Sequence, residues 1–326
     1  MANAQRIDMQ QTPQKTPHYR PPVPSDAGVQ AVDAAVWQHP WQTVAVVGAS
    51  KNAGKTTALN ALTAAVLLRG ERAGLCSIGV DGEASDVWLA TAKPGVRVEK
   101  GTLVVTAQAA VESSRGVLKT LKPLDFVTSL GPTVLAEARA PGEVLLCGVT
   151  HRRQVETAIA TLREAGAHRV LVDGAYQRQA VADAAGVQAL VLAVGALATL
   201  QEALATLLAL TTPPDRAEPH TLAVTGGLTD ARLHQLNLQE IQVLCAQSQG
   251  AVLLTAEGHA RLRRLGIRLT ARHTLPLALV TANPHVPLGD DRQPLEFLQE
   301  ATTWLHNLGL QLPLVDVVSG LQLMET

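Results

Sequence analysis

TVAVVGASKNAGKTTALNAL, Thr43 to Leu62, is the stretch on which the fold is decided. An apolar run, Thr43–Val47, gives way to a loop containing glycines. The loop leads into a helix-period pattern that puts Leu59, Leu62 and Val66 on one face, with Gly70 as its stop. A strand, a turn whose backbone N–H groups face inward and a helix N-terminus together form an anion site, because the amides and the helix dipole both favour negative charge. Gly54-Lys55-Thr56 adds what a phosphate site needs: close backbone approach, an ammonium for the β- and γ-phosphates and a hydroxyl for Mg²⁺. The spacing departs from G-x-x-x-x-G-K-[ST], which calls for glycine at Ala49, whereas Gly48 stands one residue earlier. The expected nucleotide contacts are Gly48, Ser50, Lys51, Asn52, Ala53, Gly54, Lys55, Thr56 and Thr57. The plainer alternative is a strand-to-helix turn with a solvated lysine. It explains less, because strand, Gly-Lys-Thr-Thr and helix coincide.

A Mg²⁺-nucleotide site also takes a carboxylate from a neighbouring strand. Two aspartates stand at strand ends: Asp173 in RVLVDG, and Asp81, with Glu83 beside it, in SIGVDGE. Either would hold the metal or orient water, and both remain candidates, since aspartate followed by glycine is also an ordinary turn former. The expected catalytic set is therefore Lys55, Asp173 and Asp81, with Thr56, Asp81 and Asp173 on the metal, and ATP and Mg²⁺ as cofactors. His151-Arg152-Arg153 opens a helix, where cations oppose the dipole; this reads as an anion contact or as a solvated first turn.

Similar apolar runs recur at AGLCSIG, EVLLCGV, RVLVDG, ALVLAVG, HTLAVTGG, LALVTAN and LPLVDVV. Continuous rather than alternating hydrophobicity marks strands buried on both faces. Amphipathic segments such as HRRQVETAIATLREAG lie between several of them, so the expected fold is three-layer α/β with a mostly parallel sheet, of the P-loop NTPase kind. KPGVRVEKGTLVVTA, Lys93–Ala107, reads as a hairpin around Glu99-Lys100-Gly101 that leaves the main sheet. The expected organisation is a disordered tail over 1–38, a nucleotide-binding core over 39–215 and a C-terminal α/β part over 216–326.

With 326 residues, 47% of them apolar, the chain has ample material for a core. A net charge of −1 leaves no electrostatic footprint for nucleic acid or an anionic membrane. Cys76, Cys147 and Cys245 sit in apolar runs without a Cys-x-x-Cys pair, which reads as reduced, buried thiols. The N-terminal segment is Gln- and Pro-rich without an apolar stretch of the signal-peptide kind, and no apolar run reaches membrane-spanning length. The expectation is a cytoplasmic protein.

The G-x5-G-K-T spacing is similar to that of the dethiobiotin synthetase and cobyrinic acid synthase branch of P-loop proteins. In that branch an acidic residue near the γ-phosphate follows the second strand, where Asp81 stands, and an asparagine ending a late strand holds the base, as Asn283 in TANP would hold adenine. Dimerising P-loop ATPases reach the partner's nucleotide with a loop lysine five residues before the invariant one. Lys51 stands four before Lys55, out of register for that role. VVGASKNAGKTTALNAL, SIGVDGEASD, AKPGVRVEKGTLVVTA and LVDGAYQRQAVADAAGVQALVLAVGA occur in the order found in the P-loop subunit of the lysine 5,6-aminomutase and D-ornithine aminomutase reactivases. The resemblance covers Thr43 to Ala196, more weakly through LPLVDVV, and SIG-x-DGE with KP-x5-KGT is its more discriminating part. It implies an ATP-driven factor that releases damaged cobalamin from an adenosylcobalamin-dependent aminomutase, with a second reactivase subunit as partner and a homodimer left open. Lys100 and Gly101 then become candidate partner contacts. Two other classes stay open: a dethiobiotin-synthetase-like ligase or kinase, and a nucleotide-dependent scaffold without turnover.

Overall fold

The computed structural model describes residues 22–50, 53–78, 95–149, 151–174, 186–201, 203, 220–284, 293–307 and 311–323. The expected first strand and helix form as β1, Thr43–Gly48, and α2, Lys55–Leu68. Alternate residues of β1 enter different cores: Ala45 and Val47 pack on one face of the sheet, Val44 and Val46 on the other. That is the pleat of a strand covered on both sides. Leu59, Leu62 and Val66 of α2 fill the second core together with Val32, Val36 and Trp37. The first core takes Val155, Ile159 and Leu162 from the helix Arg152–Glu164, and Phe297, Leu298, Ala301 and Leu305 from the helix Pro294–Asn307. Helices on both faces of one sheet make the three layers.

Among the described residues the main sheet has ten strands. From one edge they run β17 (Gln322–Leu323), β16 (Leu314–Asp316), β15 (Leu277–Ala282), β9 (Ala189–Val194), β1, β8 (Arg169–Asp173), β2 (Ala73–Ser77), β4 (Leu103–Ala107), β6 (Gly131–Ala138) and β5 (Leu118–Thr128). β16 through β4 are parallel; β17, β6 and β5 run antiparallel to their neighbours. From β1 the chain goes to β2 and β4 on one side. It then returns through β8 and crosses to β9, β15 and β16 on the other. The sheet therefore has a topological switch at the carboxyl end of β1, the place where open α/β sheets hold ligands.

Two expectations about strands are corrected. The turn at Glu99–Thr102 forms, closed by the Thr102 N–H to Glu99 carbonyl bond with Gly101 at φ 92°, but its arms do not pair with each other. β3, Val96–Val98, pairs antiparallel with β7, Gly142–Val144, while β4 joins the main sheet; the hairpin that extends the sheet is β5–β6. The run EVLLCGV, which reads as one buried strand, is regular only through Val144. Beyond it Thr106 replaces a strand partner. Its hydroxyl donates to the Leu145 carbonyl at 3.0 Å and accepts from the Cys147 N–H at 2.9 Å.

Part of the tail expected to be disordered to residue 38 is regular. Residues 26–37 are helical, first as α1, Asp26–Val32, capped by Ser25, then as a π turn, Asp33–Trp37. Ala31, Val32, Ala35, Val36 and Trp37 are buried, so the segment is held by packing on α2 and the sheet. Residues 1–21 lie outside the described set. Between β9 and β15 the chain builds a second, smaller unit: a parallel sheet of β10 (Thr221–Val224), β12 (Val243–Ser248) and β14 (Arg268–His273). It has its own core around Leu228, Leu233, Leu244, Leu262 and Leu269. Among the described residues, no helix is long and apolar enough to cross a membrane.

Candidate functional site

β1 runs one residue further into the loop than the usual phosphate-loop pattern implies. Gly48 is in register with Ala193 of β9, and the Ala49 N–H still donates to the Ala193 carbonyl at 2.9 Å. Ala49 is thus engaged by the sheet, and the chain turns back over Gly48 instead. A Cβ at position 48 would meet the Ser50 carbonyl oxygen at 3.3 Å and the Ala53 Cβ at 3.6 Å. This is a local physical reason for glycine at 48 and not at 49.

The loop ends on Gly54, which caps α2 with φ 89°. Two constraints select glycine here. The left-handed conformation disfavours any other residue, and a Cβ would lie 2.3 Å from Nδ2 and 2.6 Å from Cβ of Asn283. Asn283 follows β15, fixed by its N–H to the Val194 carbonyl at 2.8 Å. The structure thus brings the late-strand asparagine to Gly54 at the end of the loop, 2% exposed, with neither side-chain amide atom hydrogen-bonded.

Asp173 ends β8, next to β1. Its position is fixed from both sides: the Gly174 N–H donates to the Val46 carbonyl at 2.9 Å, and the Ile78 N–H to the Asp173 carbonyl at 2.8 Å. Lys55, first residue of α2, places Nζ 3.1 Å from Asp173 Oδ1. The contact is an ion pair without hydrogen-bond alignment, and Oδ1 is sealed from solvent with no hydrogen bond of its own. Oδ2 accepts from the hydroxyl of Ser77, which faces Asp173 across the β2–β8 register at 3.3 Å. Ser77 was not among the residues singled out from sequence. The signal that could have found it is the serine closing AGLCS, one strand over from Asp173. Burial pushes the neighbouring Cys76 thiol up to about 12, with the Asp173 charge adding to it. All three cysteines are free and buried, as expected.

The structure therefore brings together Gly48, Gly54, Lys55, Asp173 and Asn283, with Thr56 half-buried and Thr57 buried on the first turn of α2 and Ser50 exposed at the loop. Lys51, Asn52, Asp81 and Glu83 lie outside the described residues. Ala53 is buried, its N–H directed to the Ser50 carbonyl at 3.3 Å. His151 starts its helix with its N–H on Gln154 Oε1 at 3.1 Å, a local cap far in sequence from the loop. Among the described residues, no group of three or more His, Cys, Asp or Glu is placed to hold a metal ion. Asp173 offers one oxygen suited to a cation, since Oδ1 is a buried carboxylate oxygen without a hydrogen bond. Comparison with known protein families, curated proteins and solved structures gave no match to this chain.

Proposed function

We propose that this chain is a Mg²⁺-dependent ATPase that reactivates an adenosylcobalamin-dependent aminomutase by driving release of damaged cobalamin. One observation carries the nucleotide part: Gly54, Lys55 and Asp173 converge at the carboxyl ends of β1 and β8, at the switch point of the sheet. The loop amides and the N-terminus of α2 would receive the phosphates, Lys55 would bind the β- and γ-oxygens, and Asn283 would bind adenine. Thr56 and Asp173 would hold Mg²⁺, which supplies charge neutralisation at the transferring phosphoryl group. Asp81 stays a second candidate for the metal or for water.

The aminomutase part rests on the resemblance over Thr43 to Ala196. An enzyme that binds cobalamin tightly releases a spent cofactor slowly. A nucleotide cycle opens it by giving one conformer of the factor a differential affinity for the enzyme. The partners are then the aminomutase and a second reactivase subunit, neither nucleic acid nor membrane. A dethiobiotin-synthetase-like ligase or kinase and a scaffold without turnover are the alternatives.

The test is ATP turnover by the full chain, alone and with an aminomutase carrying inactivated cobalamin. Stimulation by that complex is the expected result. Turnover dependent on a small acid would favour the ligase class, and tight binding without turnover the scaffold. Lys55→Ala should abolish nucleotide binding, read by calorimetry. A folded variant with unchanged affinity would end the nucleotide reading.

A further inference from the structure

Lys55, at the start of α2, and Asp173, at the end of β8, do more than stand side by side. Each is the other's counter-charge among the described residues, at 3.1 Å, and the carboxylate oxygen concerned is sealed from solvent. A divalent cation arriving alone at Asp173 would meet an ammonium already there. A polyphosphate arriving alone would have to draw Lys55 away, stranding a buried carboxylate oxygen without compensation. Only when both arrive does each charge find a new partner: the ammonium takes phosphate oxygens and the cation takes Asp173.

Resting on the reading of this loop as a phosphate site, we infer that Lys55 is an exchangeable counter-ion that masks Asp173, so that polyphosphate and divalent cation bind as an obligatory couple, with Ser77 as the positioning residue that holds the carboxylate through the exchange. The Ser77 part stands on its own geometry. Its hydroxyl occupies Oδ2, its side chain is buried, and the β2–β8 register places it opposite Asp173, so the carboxylate keeps its orientation when Oδ1 changes partner. Coupling of this kind is reciprocal: whatever the cation gains from the anion, the anion gains from the cation.

The masking makes an unusual prediction, that removing either charge improves binding of the other ligand taken alone. Free Mn²⁺ is titrated by electron paramagnetic resonance against the full chain without any nucleotide, comparing wild type with Lys55→Ala and, as a second variant that keeps side-chain length, Lys55→Gln. Both should bind Mn²⁺ about tenfold more tightly than wild type. Lys55→Ala/Asp173→Asn should lose that gain. Metal-free ATP, measured by calorimetry in excess chelator, should bind Asp173→Asn about tenfold more tightly than wild type. Ser77→Ala should lower the Mn²⁺ affinity of the Lys55→Ala protein about threefold, and Ser77→Thr should restore it. Circular dichroism checks that each variant is folded. Mn²⁺ affinity equal in wild type and both Lys55 variants would overturn the exchange, and a gain surviving in Lys55→Ala/Asp173→Asn would overturn it as well. An undiminished affinity in Lys55→Ala/Ser77→Ala would overturn the role of Ser77. If no form binds ATP, with or without metal, the phosphate-site reading fails, while the Mn²⁺ comparison still decides whether Lys55 masks Asp173.

Discussion

Gly54 and Asn283 show how one residue pair can be set for a purpose other than stability. The asparagine is buried with an unsatisfied amide, which typically costs about 1–3 kcal/mol for each unpaired group, and it is pressed against a glycine that already holds a left-handed conformation. Asn283→Ala should therefore leave the melting temperature unchanged or raise it. Gly54→Ala should lower stability by roughly 2 kcal/mol or more, from the backbone penalty and the clash together. In the double variant only the contacts with the amide should be relieved, because the Cβ of residue 283 stays 2.6 Å from the added methyl, so the double variant should recover part of the loss; strict additivity in thermal melts would show that the added methyl does not meet the amide. Cys76 gives a pH signature at the same scale. Burial holds its thiol protonated to about 12 when folded, against an ordinary 9.0. The folded-state value is raised, so the unfolded chain loses its proton first, and stability should fall as pH climbs from 9.0 towards about 12. Cys76→Ala should flatten that alkaline limb in denaturant titrations, and native Cys76 should resist alkylation at neutral pH.

Elements differ in how openly the sequence declares them. β1, β8 and β9 are continuous apolar runs because both faces are covered, and α2 and the helix Arg152–Glu164 show their stops as Gly70 and Gly166. Both glycines close Schellman motifs: Glu71 N–H to the Val66 carbonyl, and Ala167 N–H to the Leu162 carbonyl. β5 was hidden. LKTLKPLDFVT carries Lys119, Lys122 and Pro123 on an edge strand with exposed Leu121 and Val127, so it lacks both the unbroken run of a buried strand and a clean alternation. The pairing of β3 with β7 was hidden for another reason: strand propensity says that Val96–Val98 is extended but not which distant segment completes it. Thr106 is the same lesson in reverse, a single hydroxyl that takes over the hydrogen bonds of a strand. Thr106→Val keeps shape and burial but strands the Leu145 carbonyl and the Cys147 N–H. It should cost about 1–3 kcal/mol in chemical denaturation. A loss near zero would mean that water or a shifted backbone replaces the hydroxyl.

For the whole molecule, the candidate site was legible where chemistry and local pattern coincide, in Gly48, Gly54, Lys55 and Asp173, and illegible where it depends on the order of strands. Nothing in TANP says that β15 lies next to β9, and only that neighbour brings Asn283 to Gly54. The unit of β10, β12 and β14 has a core separate from the two that cover the main sheet. Leu244→Ala, at its centre, should cost about 2–5 kcal/mol locally. Hydrogen exchange should then speed up across 221–273 while amides of β1, β2 and β8 keep their protection. Uniform loss of protection would instead show one cooperative structure. Because that unit lies between β9 and β15 in the chain, the half of the site supplied by Asn283 can be assembled only after a long-range closure. β1, β2 and β8 all precede that unit in the chain, so they can pair before β15 has been synthesised. During synthesis, the ion pair of Lys55 and Asp173 would thus be in place on a nascent chain before the asparagine that presses on Gly54 has emerged. The site would mature in two stages, with its charges set first and its loop braced last.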